Sequence, residues 1–472
     1  MAGDGEAPRL VVFRGVIVVA ILAMPGLGEA QPPNPFAGSV PTGQATGTLL
    51  DLSLSDAFER ALRYNLGAIE GRENTRAAHA ARLRSLNALL ANVSGRVSDA
   101  ANQINLQALG FRISIPGVPI SPVVGPFNVT DARLYVTQEL FNWSDLQGLK
   151  SSGESERASV LTYQSDRDLV VFTTGNEYLL VISDAAAVES ARAQVRTAQT
   201  LYDQDVDKNA QGVIARIDVL RARVELQTQQ QRLIAAENQL NIDKLGLARV
   251  IGLPNGQDFR LTDAVPYRPL DEVGVNQALA QAFATRPDYQ AAQRQVRAAE
   301  LALDAATAEV YPSGSMAADY GAIGSPNFGA AHPSYSVSVA LNIPIFQGSR
   351  VRADKLQAES ALEQRRAELA DLGGRIDDQV RTALYNLRSF SELVAVAQSN
   401  MDLSNETVVQ AQDRLSAGVA NNLEVVQAQE SVAAANQSYI ASLYAFNLAK
   451  ISFAQTLGVA ERSGVTYLLG RQ

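Results

Sequence analysis

The sequence predicts a mainly α-helical protein with a small β part, arranged as two tandem helix-hairpin-helix-helix repeats that carry long coiled coils. Three observations predict it. First, Gly212-Val213-Ile214-Ala215-Arg216-Ile217-Asp218-Val219-Leu220-Arg221-Ala222 returns as Gly418-Val419-Ala420-Asn421-Asn422-Leu423-Glu424-Val425-Val426-Gln427-Ala428, an offset of 206 that still holds at Gly252-Leu253 against Gly458-Val459. Two copies of one long unit point to pseudo-symmetry within a single assembly rather than to a stack of short repeats. Second, no proline occurs from about Leu146 to Gln211 or from about Val351 to Ala417. Each stretch can be one helix of roughly 60 residues and about 90 Å, wider than a compact domain. Third, the segments between the helices alternate with period two: Tyr335, Val337, Val339, Leu341, Ile343 and Ile345 lie opposite Ser334, Ser336, Ser338, Ala340 and Asn342.

In chain order, residues 1–30 read as a signal peptide. Arg9 and Arg14 precede the apolar run Val16 to Met24, and Gly28-Glu29-Ala30 supplies small residues for cleavage. That run is shorter than the roughly 18 to 20 residues of a spanning helix. Residues 31–50, with Pro32, Pro33, Pro35 and Pro41, form a Pro/Gly-rich extension that is extended or disordered. The first repeat covers 51–262. Ser53-x-x-Asp56 is a capping box for a helix over about 54–91, whose apolar residues Leu54, Ala57, Phe58, Ala61, Leu62 and Leu66 fall on one face.

The second repeat covers 263–472, and its front end, Ala278 to Ala282, lines up with Ala57 to Ala61 at an offset of 221. Its first helix runs over about 275–310, with Pro287 as a kink or restart and a stop before Pro312. Strands follow at about 93–106 and 131–140 in the first copy and at 313–320 and 334–345 in the second. In the long helix of the second copy, Gly373-Gly374 is the weak point. After Gly212 and after Gly418 comes a helix of about 35 residues. Val219, Leu226, Leu233, Leu240 and Leu247 form a seven-residue ladder there, matched by Val425, Val432, Tyr439, Phe446 and Phe453. Such a ladder means that each long helix turns back and packs as a left-handed coiled coil.

Composition removes several function classes. There is no cysteine, so disulfides, thiolate metal sites, a thiol nucleophile and a lipidated N-terminal cysteine are excluded. A net charge of -9 without a basic block does not suit nucleic acid. His79 on a helix and His332 in a loop read as solvated surface, with no second histidine at metal-ligand spacing. Gly321, Gly324 and Gly329 read as a loop tip and not as a phosphate fingerprint. No nucleophile-base-acid set stands out, so the expectation is a protein that is not an enzyme and uses no cofactor or metal.

Beyond the leader no apolar run is long enough for a spanning helix, so membrane contact falls to the two-faced hairpins. Four strands cannot close a membrane barrel, which needs about eight. Open edges are forbidden in lipid, so several protomers must share one barrel. The alternative is a periplasmic coiled-coil scaffold that spans the envelope without a pore, but such a scaffold has no use for a hairpin with a continuous apolar face.

These residues resemble the TolC-like outer-membrane efflux protein family, the outer membrane factors, over about residues 50 to 460. The resemblance rests on the duplicated unit and on a turn pattern of glycine followed six residues later by an acid and valine, Gly212…Asp218-Val219 and Gly418…Glu424-Val425. Each helix that follows ends in a Leu-Gly type stop, Ile251-Gly252-Leu253-Pro254 and Leu457-Gly458. The resemblance implies a homotrimer in which four strands per protomer make a trimeric 12-stranded β-barrel in outer-membrane lipid, continued into the periplasm by a helical tunnel. It further implies a passive exit duct of a tripartite efflux or type I secretion system. The hairpin tips at Gly212 and Gly418 would dock a periplasmic adaptor (membrane fusion) protein and, through it, an inner-membrane transporter. Glu424 and Gln427 would occupy the pore constriction, where Glu424 keeps the family's acid and Gln427 does not. Ile217, Leu415 and Ala420 cannot supply the family's polar gate links, which leaves Asp218, Arg216, Arg414 and Asn421 as possible gate contacts.

Overall fold

The computed structural model describes residues 34–110, 121–325, 331–419 and 422–470. The signal peptide and Asn421 lie outside the described residues. From Pro35 onward the two repeats form one compact unit.

The first expected helix is two: α1 (Leu54–Tyr64) and α2 (Leu66–Asn87). Asn65 separates them with an extended backbone, and its Oδ1 accepts from the Gly67 N–H to cap α2. Its Nδ2 donates to the carbonyls of Phe36 and Val250, so a fully buried amide pins the kink to two other segments. The expected capping box is present at Ser53 and Asp56. The second repeat breaks at the equivalent place, Arg286, between α5 (Val275–Thr285) and α6 (Pro287–Ala308), with Pro287 at the first helical position. Residues 35–49 are not a loose leader. Pro35–Ala37 is a 3₁₀ turn, Phe36 occupies the space a side chain at Gly67 would need, and Val40 N–H and Leu66 N–H bond to Tyr64 and Gly38 carbonyls.

The two long helices are unbroken. α3 (Trp143–Ala210) has 68 residues and α7 (Arg350–Ser416) has 67, so each extends about 100 Å, and α7 passes straight through Gly373-Gly374. α4 (Arg216–Ile251) and α8 (Asn422–Thr456) return along them. The heptad ladders face inward: Leu226, Leu247, Val425, Phe446 and Phe453 are buried, and the remaining rungs are half-buried. Three short elements carried no sequence signal. A short parallel pair joins β1 (Leu50–Leu52) to β4 (Phe259–Leu261), and α9 (Ala460–Leu469) closes the chain. All three seal the main core around Phe58, Val171, Tyr178, Ile251, Ile451 and Leu468. A second core pairs Ala278, Ile376, Val380 and Leu384 with Phe453 and Leu457.

The four-stranded antiparallel sheet runs in the order β2 (Asn92–Asn105), β3 (Val123–Phe141), β5 (Ser313–Gly324), β6 (His332–Asn342). β3 begins well before the expected 131. Gly321 and Gly324 belong to β5 and His332 to β6, not to a loop, while Gly329 lies outside the described residues. Ile343 and Ile345 fall beyond the end of β6. The loop readings failed because cross-strand pairing, invisible in one strand's composition, carries these polar and glycine residues.

Candidate functional site

The sheet has two unlike faces. Register puts Val93, Gly95 and Val97 beside Val136, Leu134 and Ala132, then Ala318 and Tyr320, then Val337 and Tyr335 on one face. Val93, Val97, Leu134, Tyr320, Tyr335, Val337, Val339 and Leu341 are all exposed. Tyr320 and Tyr335 sit opposite each other at one end of this apolar band, and Phe141, Trp143, Tyr311 and Phe346 are exposed at the other. An apolar band edged by aromatics suits the two interfaces of a bilayer. Among the described residues no helix is long and apolar enough to cross a membrane.

The opposite face is polar and carries an ion-paired cluster. Arg133 Nε donates to Asp131 at 2.8 Å and its Nη1 to Asp319 at 3.0 Å. Gly321 lies opposite Arg133, and a Cβ there would overlap the Ala132 carbonyl oxygen and come within 2.7 Å of Arg133 Cγ, so the glycine lets the backbone and stem of Arg133 approach closely. Sequence reading placed Asp131 and Arg133 on the wet face but missed Asp319, because its partner lies on a different repeat.

At the far end of the helices the two tips share one backbone design. In the first, Gly212 N–H bonds to Asn209 C=O and Val213 N–H to Lys208 C=O. In the second, Gly418 N–H bonds to Leu415 C=O and Val419 N–H to Arg414 C=O. Both are Schellman ends with glycine in the left-handed region, at φ 74° and 75°. A Cβ at either would meet nothing within 4 Å, so glycine is required by backbone conformation and not by crowding.

The predicted charged residues divide between the tips. Arg414 Nε lies 3.1 Å from Glu424 Oε1, joining the last turn of α7 to the first turn of α8. The residue read as a constriction acid is thus paired with one read as a gate contact. Gln427 follows three residues later and is exposed, as is Arg216. Asp218 does not cross its hairpin; it lies 3.3 Å from Arg221 on its own helix. Val213, Ile217, Leu220 and Val224 form an exposed apolar stripe along the first tip that sequence reading did not single out, although their spacing shows it.

Farther along the coiled coil, burial raises the Asp184 carboxyl to about 7, assisted by a hydrogen bond with Asp243 across α3 and α4. Nearer the sheet, His79 Nδ1 lies 2.7 Å from Glu156, which also receives Arg82 at 3.0 Å; His79 is therefore a hydrogen-bond partner of Glu156 and not merely solvated.

A sheet with an exposed apolar face, set on paired helices of about 100 Å, defines an outer-membrane channel protein. The model of the outer membrane efflux protein family matches residues 125–253 and 278–459, and the chain belongs to that family. The outer membrane protein TolC of Escherichia coli strain K12 is 23% identical over 353 residues, 70% of each protein. In fold, the chain is similar to the CmeC outer membrane channel of Campylobacter jejuni, with a TM-score of 0.73 at 14% identity over 90% of this chain and 92% of that one. The outer membrane protein VceC of Vibrio cholerae gives 0.71 at 16% identity over 86% and 96%. The protein is accordingly a transport channel of the outer membrane that extends into the periplasm, in a family of channels and not of enzymes.

Proposed function

We propose that three copies of this chain close a 12-stranded barrel and form the passive exit duct of a tripartite efflux or type I secretion system. The observation that carries the reading is the pair of open sheet edges. Among the described residues, β2 and β6 are the edge strands and have unpaired backbone groups along one side each, beside an apolar face, and lipid does not tolerate either edge unsatisfied. Joining β6 of one copy to β2 of the next satisfies both. A scaffold without a pore would leave the same apolar face in water.

In this reading the polar face with Arg133 lines the lumen, and the Gly212 and Gly418 tips, with the Val213 to Val224 stripe, meet a periplasmic adaptor that joins the duct to an inner-membrane transporter. Three copies of Glu424 surround the periplasmic mouth, each bridged to its own Arg414. Like charges around a narrow pore favour cations. Planar-bilayer recording at low salt tests the mouth, because screening is least there. Glu424→Gln lowers cation selectivity and weakens multivalent-cation block, Gln427→Asp strengthens block, and Arg414→Gln raises cation selectivity by releasing the carboxylate. Unchanged selectivity and block in all three would remove these residues from the constriction.

A further inference from the structure

One turn away from the apolar layer of Leu201, Ala411, Val425 and Ala428, the four long helices enclose a polar groove of about 430 Å³. Three of its side chains are more than nine-tenths buried: Glu225 and Gln229 from α4 and Gln429 from α8. Gln229 Nε2 donates to Glu225 Oε1 at 2.6 Å. Gln229 Oε1 and Gln429 Nε2 have no hydrogen-bond partner among the described residues. Among the described residues no cationic side chain lies within ion-pair distance of Glu225, and none lines this groove. A buried carboxyl without a cation and two orphaned amide atoms are each costly, and together in one groove they call for a ligand that answers all of them.

We infer that this groove is a binding site for an aliphatic ammonium compound. A primary ammonium offers three donors and one positive charge, which Glu225 and Gln229 Oε1 accept. An amide can turn over, so Gln429 presents either its nitrogen or its oxygen. Val408, Val409 and Val432 give an apolar wall for the alkyl chain. A divalent metal fits less well, because it takes several hard oxygen ligands and the groove offers a single carboxyl. Since the ligand would touch α3, α4, α7 and α8 at once, its binding clamps the two coiled coils of one protomer together.

The test is calorimetric titration of the purified full-length protein in detergent with 1,4-diaminobutane at moderate salt, against 1,4-butanediol as the uncharged match. The inference expects saturable binding of the diamine, none of the diol, and at least a tenfold weaker affinity in Glu225→Gln and in Gln229→Leu. Glu430→Gln, which removes an exposed carboxyl beside Gln429, keeps full affinity, and circular dichroism shows unchanged helicity in every variant. Absence of saturable binding by the wild-type protein, equal binding of the diol, or undiminished binding by Glu225→Gln overturns the inference and leaves the groove to water.

Discussion

The two hairpin tips are copies in backbone and strangers in charge. Gly212 and Gly418 close identical Schellman turns at φ 74° and 75°, so the duplication has kept the geometry that reverses each long helix. The side chains around them have diverged. At the second tip Arg414 and Glu424 bridge the two helices of the hairpin, whereas the positions 206 residues earlier are Lys208 and Asp218, and Asp218 pairs along its own helix with Arg221. The lesson is that turn shape and charge wiring are separable: the turn serves both tips alike, and the wiring gives the second tip an ion pair across the hairpin that, among the described residues, the first lacks.

The largest expected effect comes from breaking what the tips share. Replacing Gly212 and Gly418 together by leucine forces two β-carbon-bearing residues into the left-handed region at about 1–2 kcal/mol each, and re-aims both tips. Export by cells carrying the double variant is lost while the assembled protein remains in the outer membrane. Full export would place adaptor docking elsewhere.

Next is the matched pair of helix breaks. Arg286 is buried, with a bidentate link to Asp288 and further donation to Gln379 and the Thr456 carbonyl. Arg286→Ala strands these groups and costs about 3 kcal/mol. Asn65→Ala, which removes a cap and two carbonyl contacts, costs about 1–2 kcal/mol. Thermal unfolding of the two variants side by side checks the order; equal losses would show that the breaks are alike in energy as well as in place.

A smaller difference separates the tip charges. Arg414 and Glu424 are about half exposed, so breaking their bridge costs only about 0.2–1 kcal/mol, and Asp218→Asn costs less because its partner is a neighbour on the same helix. A double-mutant cycle on Arg414 and Glu424 that gives zero coupling would erase the contrast between the tips.

The pH dependence probes the coiled coil between the tips and the sheet instead of the tips themselves. Asp184 holds its proton to about 7 in the folded protein, above the ordinary aspartate value of 3.8, so the folded state binds more protons than the unfolded one between those values. Stability from this group therefore falls as pH rises from about 4 to 7. Asp184→Asn flattens that part of the curve, and an unchanged slope would show that the carboxyl titrates normally.

How much of this was legible in the sequence depends on whether the signal was local. Proline-free runs gave α3 and α7, and heptads gave α4 and α8 with their buried faces. Alternation gave β6 and most of β3, and the repeated glycines gave the tips. The break at Asn65 was hidden because an asparagine in a good helical pattern ends a helix only when distant carbonyls, here Phe36 and Val250, hold its amide. β1, β4 and α9 were hidden for the same reason, being short elements stabilised by partners far off in the chain, 209 residues between β1 and β4 and 293 between Glu461 of α9 and Asp168. At the candidate site, sequence named Glu424 and Arg414 separately. Their pairing, the third member of the Arg133 cluster, and the groove at Glu225 needed the fold to bring α7 to α8, β3 to β5, and α4 to α8.

The central claim is that the sheet is one third of a shared barrel, and the most direct test is the mass of the purified protein in mild detergent by multi-angle light scattering, corrected for bound detergent. The account predicts a single species of three chains, resistant to dilution, with β2 of each copy joined to β6 of the next. A monodisperse monomer, or recovery of the protein in the soluble periplasmic fraction, would contradict it.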